Sequence, residues 1–166
     1  MGEVDRNRLQ YFLDKVGNDP DLLAEDVYGK KIPLGASTKP YRTFCNLLVE
    51  RVCQAMDYDN LFGLNADQIF DYCTQNWIRV PEAEAMAAAM LGDLVIAAWK
   101  NPDPEGHGHV AMCYPVRQMI PSGKWGSMGV PLDCPQVASV DRVIPCGANY
   151  AFLERPQYFR LGRVMQ

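Results

Sequence analysis

Cys45, in Thr43-Phe44-Cys45-Asn46-Leu47-Leu48-Val49, and His109, in Gly106-His107-Gly108-His109-Val110-Ala111, can supply a thiolate nucleophile and an imidazole base. That pair supports attack of sulfur on an amide carbonyl, with the imidazole taking the thiol proton and returning it to the departing amine. The chemistry is that of a cysteine hydrolase. His107 lies two residues from His109, so on a strand both would point to one face and either could be the base. Position favours His109, which immediately precedes the apolar run Val110-Ala111-Met112-Cys113-Tyr114, whereas His107 lies among glycines and prolines. Taken singly, each residue has a plainer reading. A lone cysteine is commonly a small buried core residue, and a histidine at a strand edge is commonly just hydrogen-bonded.

The elements around them must place the pair. Residues 43–56 carry Phe44, Leu47, Leu48, Arg51, Val52 and Ala55 at helical intervals, which puts Cys45 in a first turn. A helix amino terminus carries partial positive charge and unspent amides, which favour a thiolate and can hold an oxyanion. Residues 93–99 and 109–114 read as two short buried strands joined by a polar connection at 100–106, hence an antiparallel pair with His109 at a sheet end. An outer amphipathic helix is expected over 4–16, closed by Gly17 and Asn18. From 19 to 40 the chain reads as an irregular approach with one helical turn near Leu22. Two more helices are expected, over 65–74 with Asn65 as cap and over 82–91, opened by Pro81 and closed by Gly92. Gly123-Lys124-Trp125-Gly126-Ser127-Met128-Gly129 reads as a mobile flap.

Composition narrows the function classes. A length of 166 residues suits one domain, residues 1–166, with a helix and irregular approach at 1–40 and a catalytic core at 41–166. A formal charge of −4 gives little reason to seek phosphate backbones, so nucleic acid is not an expected partner. The start lacks the apolar core of a secretory signal, and no apolar run approaches the ~20 residues of a membrane span. Met1-Gly2 is not followed by Ser or Thr at position 6, so lipidation there is not expected either. The six cysteines, at 45, 53, 73, 113, 134 and 146, form no Cys-x-x-Cys pair, and the chain has two histidines; no metal and no other cofactor is expected. Disulfides are possible outside the cytosol.

Gly92-Asp93-Leu94-Val95, the hairpin, and Gly108-His109-Val110-Ala111, all downstream of a cysteine at a helix start, resemble the NlpC-type peptidoglycan hydrolases of the papain-like superfamily. Within that group the sequence is most similar to phage and bacterial cell-wall hydrolases and to type VI secretion amidase effectors. The resemblance covers roughly residues 41–115 and extends more weakly to 153 through Cys134-Pro135-Gln136-Val137-Ala138 and Gly147-Ala148-Asn149-Tyr150. It implies an α+β fold in which helices pack on a small antiparallel sheet and Cys45 faces His109. It also implies cleavage of an amide bond in peptidoglycan stem peptides.

By the same resemblance a later cysteine-containing segment supplies the group that orients the imidazole. Cys134 is the first choice, with Asp133 and Gln136 as neighbours that could serve instead; a structural thiol or half of a disulfide is the plainer role for Cys134. Tyr41, Asn46, Trp99, Asn101 and Trp125 are candidates for the substrate cleft. The protein is expected to be a monomer, synthesised in the cytoplasm and acting on the cell wall after delivery or lysis, and an effector would have an immunity protein as partner. Two other functions fit the same residues: a non-catalytic wall-binding or structural phage component, and a thiol acyltransferase or deamidase acting on proteins.

Overall fold

A computed structural model describes residues 3–23, 25–26, 28–32, 44–140 and 142–161. Helix α1, Glu3–Gly17, buries Leu9 and Leu13, one turn apart, and packs Phe12 and Val16 beside them. A short 3-10 turn at Pro20–Leu22 follows, capped by the Asp19 carboxylate, and buries Leu22. Helix α2, Cys45–Ala55, turns Leu48, Val49, Val52 and Cys53 inward. Helix α3, Ala66–Asn76, begins with a reciprocal capping box in which Asn65 and Gln68 satisfy one another's backbone amides.

Strand β1, Ile78–Val80, leads through Pro81 into α4, Glu82–Met90. Ala85, Ala88 and Ala89 are the buried face of α4, small enough to let it lie close on the sheet. The chain turns out of α4 at Gly92, whose φ of +84° favours glycine and where a Cβ would stand 2.6 Å from the Asp5 backbone. Strands β2, Val95–Trp99, and β3, His109–Cys113, then pair antiparallel with Trp99 opposite His109. Strands β4, Ile120–Ser127, and β5, Val130–Cys134, make a separate two-stranded ribbon. Strands β6, Gln136–Ala138, and β7, Cys146–Gly147, the short helix α5, Ala148–Ala151, and β8, Gln157–Arg160, complete the described chain.

The main sheet has the order β1-β8-β2-β3-β6-β7, with every neighbour antiparallel. The fold is α+β, as expected, and the helices lie on both faces. Alternation along the strands makes this division. Ile96, Ala98, Val110, Met112, Ala138 and Phe159 join the core under α1, α2 and α3. Val95, Ala97, Ala111, Cys113, Val137 and Tyr158 join a second core with Ala85 and Ala89 of α4, Ala148 of α5, and Phe152.

The expected flap at 123–129 falls on the ribbon. Ser127 pairs with Val130 across a two-residue turn in which Met128 and Gly129 both have positive φ, 53° and 76°. Gly126 lies where a Cβ would run into the carbonyl of Val130. These glycines serve a close strand pair instead of a loose loop.

Candidate active site

Both Cys45 and His109 sit at the same end of the sheet, and the connections fix this. The Asn46 amide donates to the Leu64 carbonyl at 3.2 Å, so α2 starts where α3 starts. The carboxylate of Asp67, in the first turn of α3, accepts the Asn101 amide at 3.3 Å, and Asn101 lies in the connection that leads into His109. At the opposite end, the Trp77 indole donates to the Tyr58 hydroxyl at 3.0 Å, just beyond the carboxyl ends of α3 and α2. Helix α2 therefore runs in the same direction as β3 and starts at the same end of the sheet.

Cys45 is the first residue of α2, and its N-cap, Phe44, has no side-chain oxygen to compete for the first-turn amides. Its side chain is 5% exposed, within the core of the α2 face. His109 starts from the other register of the sheet, that of Ala111 and Cys113. Its ring lies against Phe152 with centroids 4.7 Å apart, and its Nε2 is 2.9 Å from the Ser139 hydroxyl. A simple face-to-face arrangement of Cys45 and His109 across one side of the sheet is thus not what the strand alternation gives. Cys45 and His109 belong to opposite faces of the sheet, at the end where α2 and β3 both begin.

Ser139 is buried, at 1% exposure, and follows Val137, which is on the same face. Three residues further on, Arg142 donates from Nε to the Tyr150 carbonyl at 3.5 Å, which sets its side chain beside the α5 segment that carries Phe152. Burial, and secondarily the positive charge of Arg142, lower the His109 pKa from 6.5 to about 4. At neutral pH the imidazole is uncharged, with one ring nitrogen a donor and the other an acceptor.

Cys134 does not orient this imidazole. The Gln136 carbonyl accepts the Tyr114 amide, at the far end of β3, so Cys134 lies five residues back along the chain from Ser139, roughly 16 Å at strand rise. Its thiol donates instead to Asn149 Oδ1 at 3.5 Å, and desolvation raises its pKa. Gln136 donates to the Gln118 carbonyl and Asp133 pairs with Pro121 in the ribbon, so neither neighbour takes the role. The side chain at the imidazole Nε2 is Ser139. Continuing the alternation of the three-residue strand β6 by one residue puts this hydroxyl on the face of Val137, but only the pairing of β6 with β3 brings it to the imidazole, so the sequence carried no signal for it.

Trp99, opposite His109, and Trp125, on β4, are half-buried beside the second core, on the same side as the imidazole. Asn46 is used to fasten the α2–α3 connection. Tyr41 lies outside the described residues. His107 is exposed. All six cysteines are thiols, and burial is the first cause of raised pKa values at Cys53, Cys73 (to about 12), Cys113 and Cys146 (to about 11). Among the described residues no cluster of His, Cys, Asp and Glu could hold a metal ion, and no helix is long and apolar enough to cross a membrane. No family model and no curated protein matches the chain.

Proposed function

We propose that the chain is a cysteine amidase or endopeptidase of the papain-like, NlpC type, with Cys45 as nucleophile, His109 as base and then acid, and Ser139 as the orienting group. Its substrate is an amide bond in the stem peptides of peptidoglycan, reached after delivery or lysis. One observation carries the reading: a cysteine opening α2 and a histidine opening β3 share one end of the sheet, and the histidine has Nε2 engaged by a buried hydroxyl. In the tautomer that donates Nε2–H to Ser139 Oγ, Nδ1 is left as the acceptor, and the reading requires it to meet the Cys45 thiol at that sheet end from the two faces on which they start. Sulfur then attacks the carbonyl carbon, and first-turn amides of α2 stabilise the oxyanion. The imidazolium returns its proton to the leaving amine, and water activated by the same imidazole releases the acyl group. Such acid-base assistance typically contributes about 10²–10⁴-fold.

The burial of Cys45 in apolar surroundings supports a second reading, a wall-binding protein that keeps the scaffold without turnover. Zymography on purified cell walls separates them. Hydrolysis predicts clearing by the native chain and none by Cys45→Ala; equal inertness of both, with wall binding retained, supports the binder. Mass analysis of the released muropeptides then identifies the broken bond.

A further inference from the structure

The connection between β2 and β3 is gripped from α3. Asp67 Oδ1 accepts the Asn101 amide at 3.3 Å, just past the end of β2. The same oxygen lies against Gly108, the residue before β3, where a Cβ would run into it and into the Trp99 carbonyl. Only glycine allows so close an approach, and a single carboxylate thus touches both sides of the hairpin mouth. Asn101 Nδ2 reaches on to the His107 carbonyl at 3.4 Å, and one turn along α3 the Asp71 carboxylate holds Lys100 Nζ at 2.8 and 2.9 Å. The capping box of Asn65 and Gln68 fixes the turn from which Asp67 projects, and Asn46 ties α2 to the residue before that box. The helix layer that carries Cys45 is therefore joined, through Asp67, to backbone one residue from His109.

We infer that Asp67 is a positioning residue for the imidazole: the reach of its oxygen, and not its charge, sets where β3 starts and so where His109 stands at the sheet end. The inference rests on the Cys45–His109 reading for its catalytic meaning, but the ring reports its own position. The full chain carrying His107→Gln, which leaves one imidazole, is compared with its Asp67→Asn, Asp67→Glu and Asp67→Ala variants by NMR. The ring is read through its contacts to the Phe152 ring and its titration midpoint, with urea midpoints measured alongside. Asparagine keeps a carbonyl oxygen at the same reach, so the Phe152 contacts and a midpoint of about 4 are retained. Glutamate keeps the charge and helix propensity but carries the oxygen one methylene too far, and alanine removes it. In both, the Phe152 contacts weaken and the midpoint moves by at least ~0.5 pH unit toward 6.5. On cell-wall substrate, kcat falls about 10-fold or more in the glutamate and alanine variants with KM little changed, and stays near native in Asp67→Asn.

The opposite ranking, with Asp67→Glu like the parent and Asp67→Asn displaced, assigns the effect to charge and overturns the inference. So do urea midpoints that fall while the ring stays in place, and, in a chain that clears cell walls, a displaced ring with kcat unchanged. Failure of the hydrolase reading looks different: native chain and Cys45→Ala then leave cell walls equally intact, whichever way the ring responds to Asp67.

Discussion

Replacing His109 by Gln is expected to remove a specific loss of stability on mild acidification. The folded protein holds this imidazole at about 4, against 6.5 for the ordinary group, through burial and the charge of Arg142. Between those two values the unfolded chain binds the proton and the folded chain does not, so stability falls as pH drops through 6.5 and levels off below about 4. At roughly 1.36 kcal/mol per pH unit, the difference accumulated between pH 7 and pH 5 is at most ~2 kcal/mol, and nearer ~1 kcal/mol because part of the ring reaches water. The assay is urea unfolding of native chain and His109→Gln at both pH values. With a slope of about 2 kcal/mol per molar urea, the native midpoint should fall by ~0.5–1 M more than that of the variant. Direct titration of the ring by NMR, in a His107→Gln background that leaves one imidazole, should give a midpoint far below 6.5. Parallel midpoint shifts in the two proteins, or a ring titrating near 6.5, would refute both the burial of the imidazole and the influence of Arg142.

Ser139→Ala, which removes the hydroxyl at Nε2, should lower kcat on cell-wall substrate by about 10-fold with KM little changed, consistent with a lost hydrogen bond of ~1 kcal/mol. Iodoacetamide at neutral pH should alkylate Cys45 before the other five cysteines, read by peptide mass mapping; labelling of Cys146 first, the most exposed thiol, would count against an activated sulfur at position 45. Asn65→Ala, which dismantles the capping box of α3, should destabilise by ~1 kcal/mol in urea. Gly92→Ala should destabilise by more than about 1 kcal/mol, since its φ is +84° and its Cβ would meet the Asp5 backbone.

Local signals read the helices and the central hairpin well. Asn65 before Ala66-Asp67-Gln68, Pro81 before the alanine-rich run, and Gly92 after it mark boundaries by backbone chemistry that needs no distant partner. The hairpin at 95–113 was legible for a similar reason, since apolar runs flank a polar turn that closes on itself. Beyond residue 115 the signals fade. Strands β6, β7 and β8 have three, two and four residues, too short for a periodicity to declare itself, and each is held by neighbours distant in sequence.

What the sequence determined by itself was therefore the inventory of chemistry and its nearest scaffolding: a cysteine opening one helix and a histidine opening one strand. Tertiary structure decided which residues share a face. A strand sends successive side chains to opposite sides, so the register of β3 sets His109 with Ala111, Cys113 and Phe152, and its pairing with β6 brings up Ser139, while Cys134 falls at the far end. Such placement depends on pairing between strands far apart in the chain, and no local pattern encodes it.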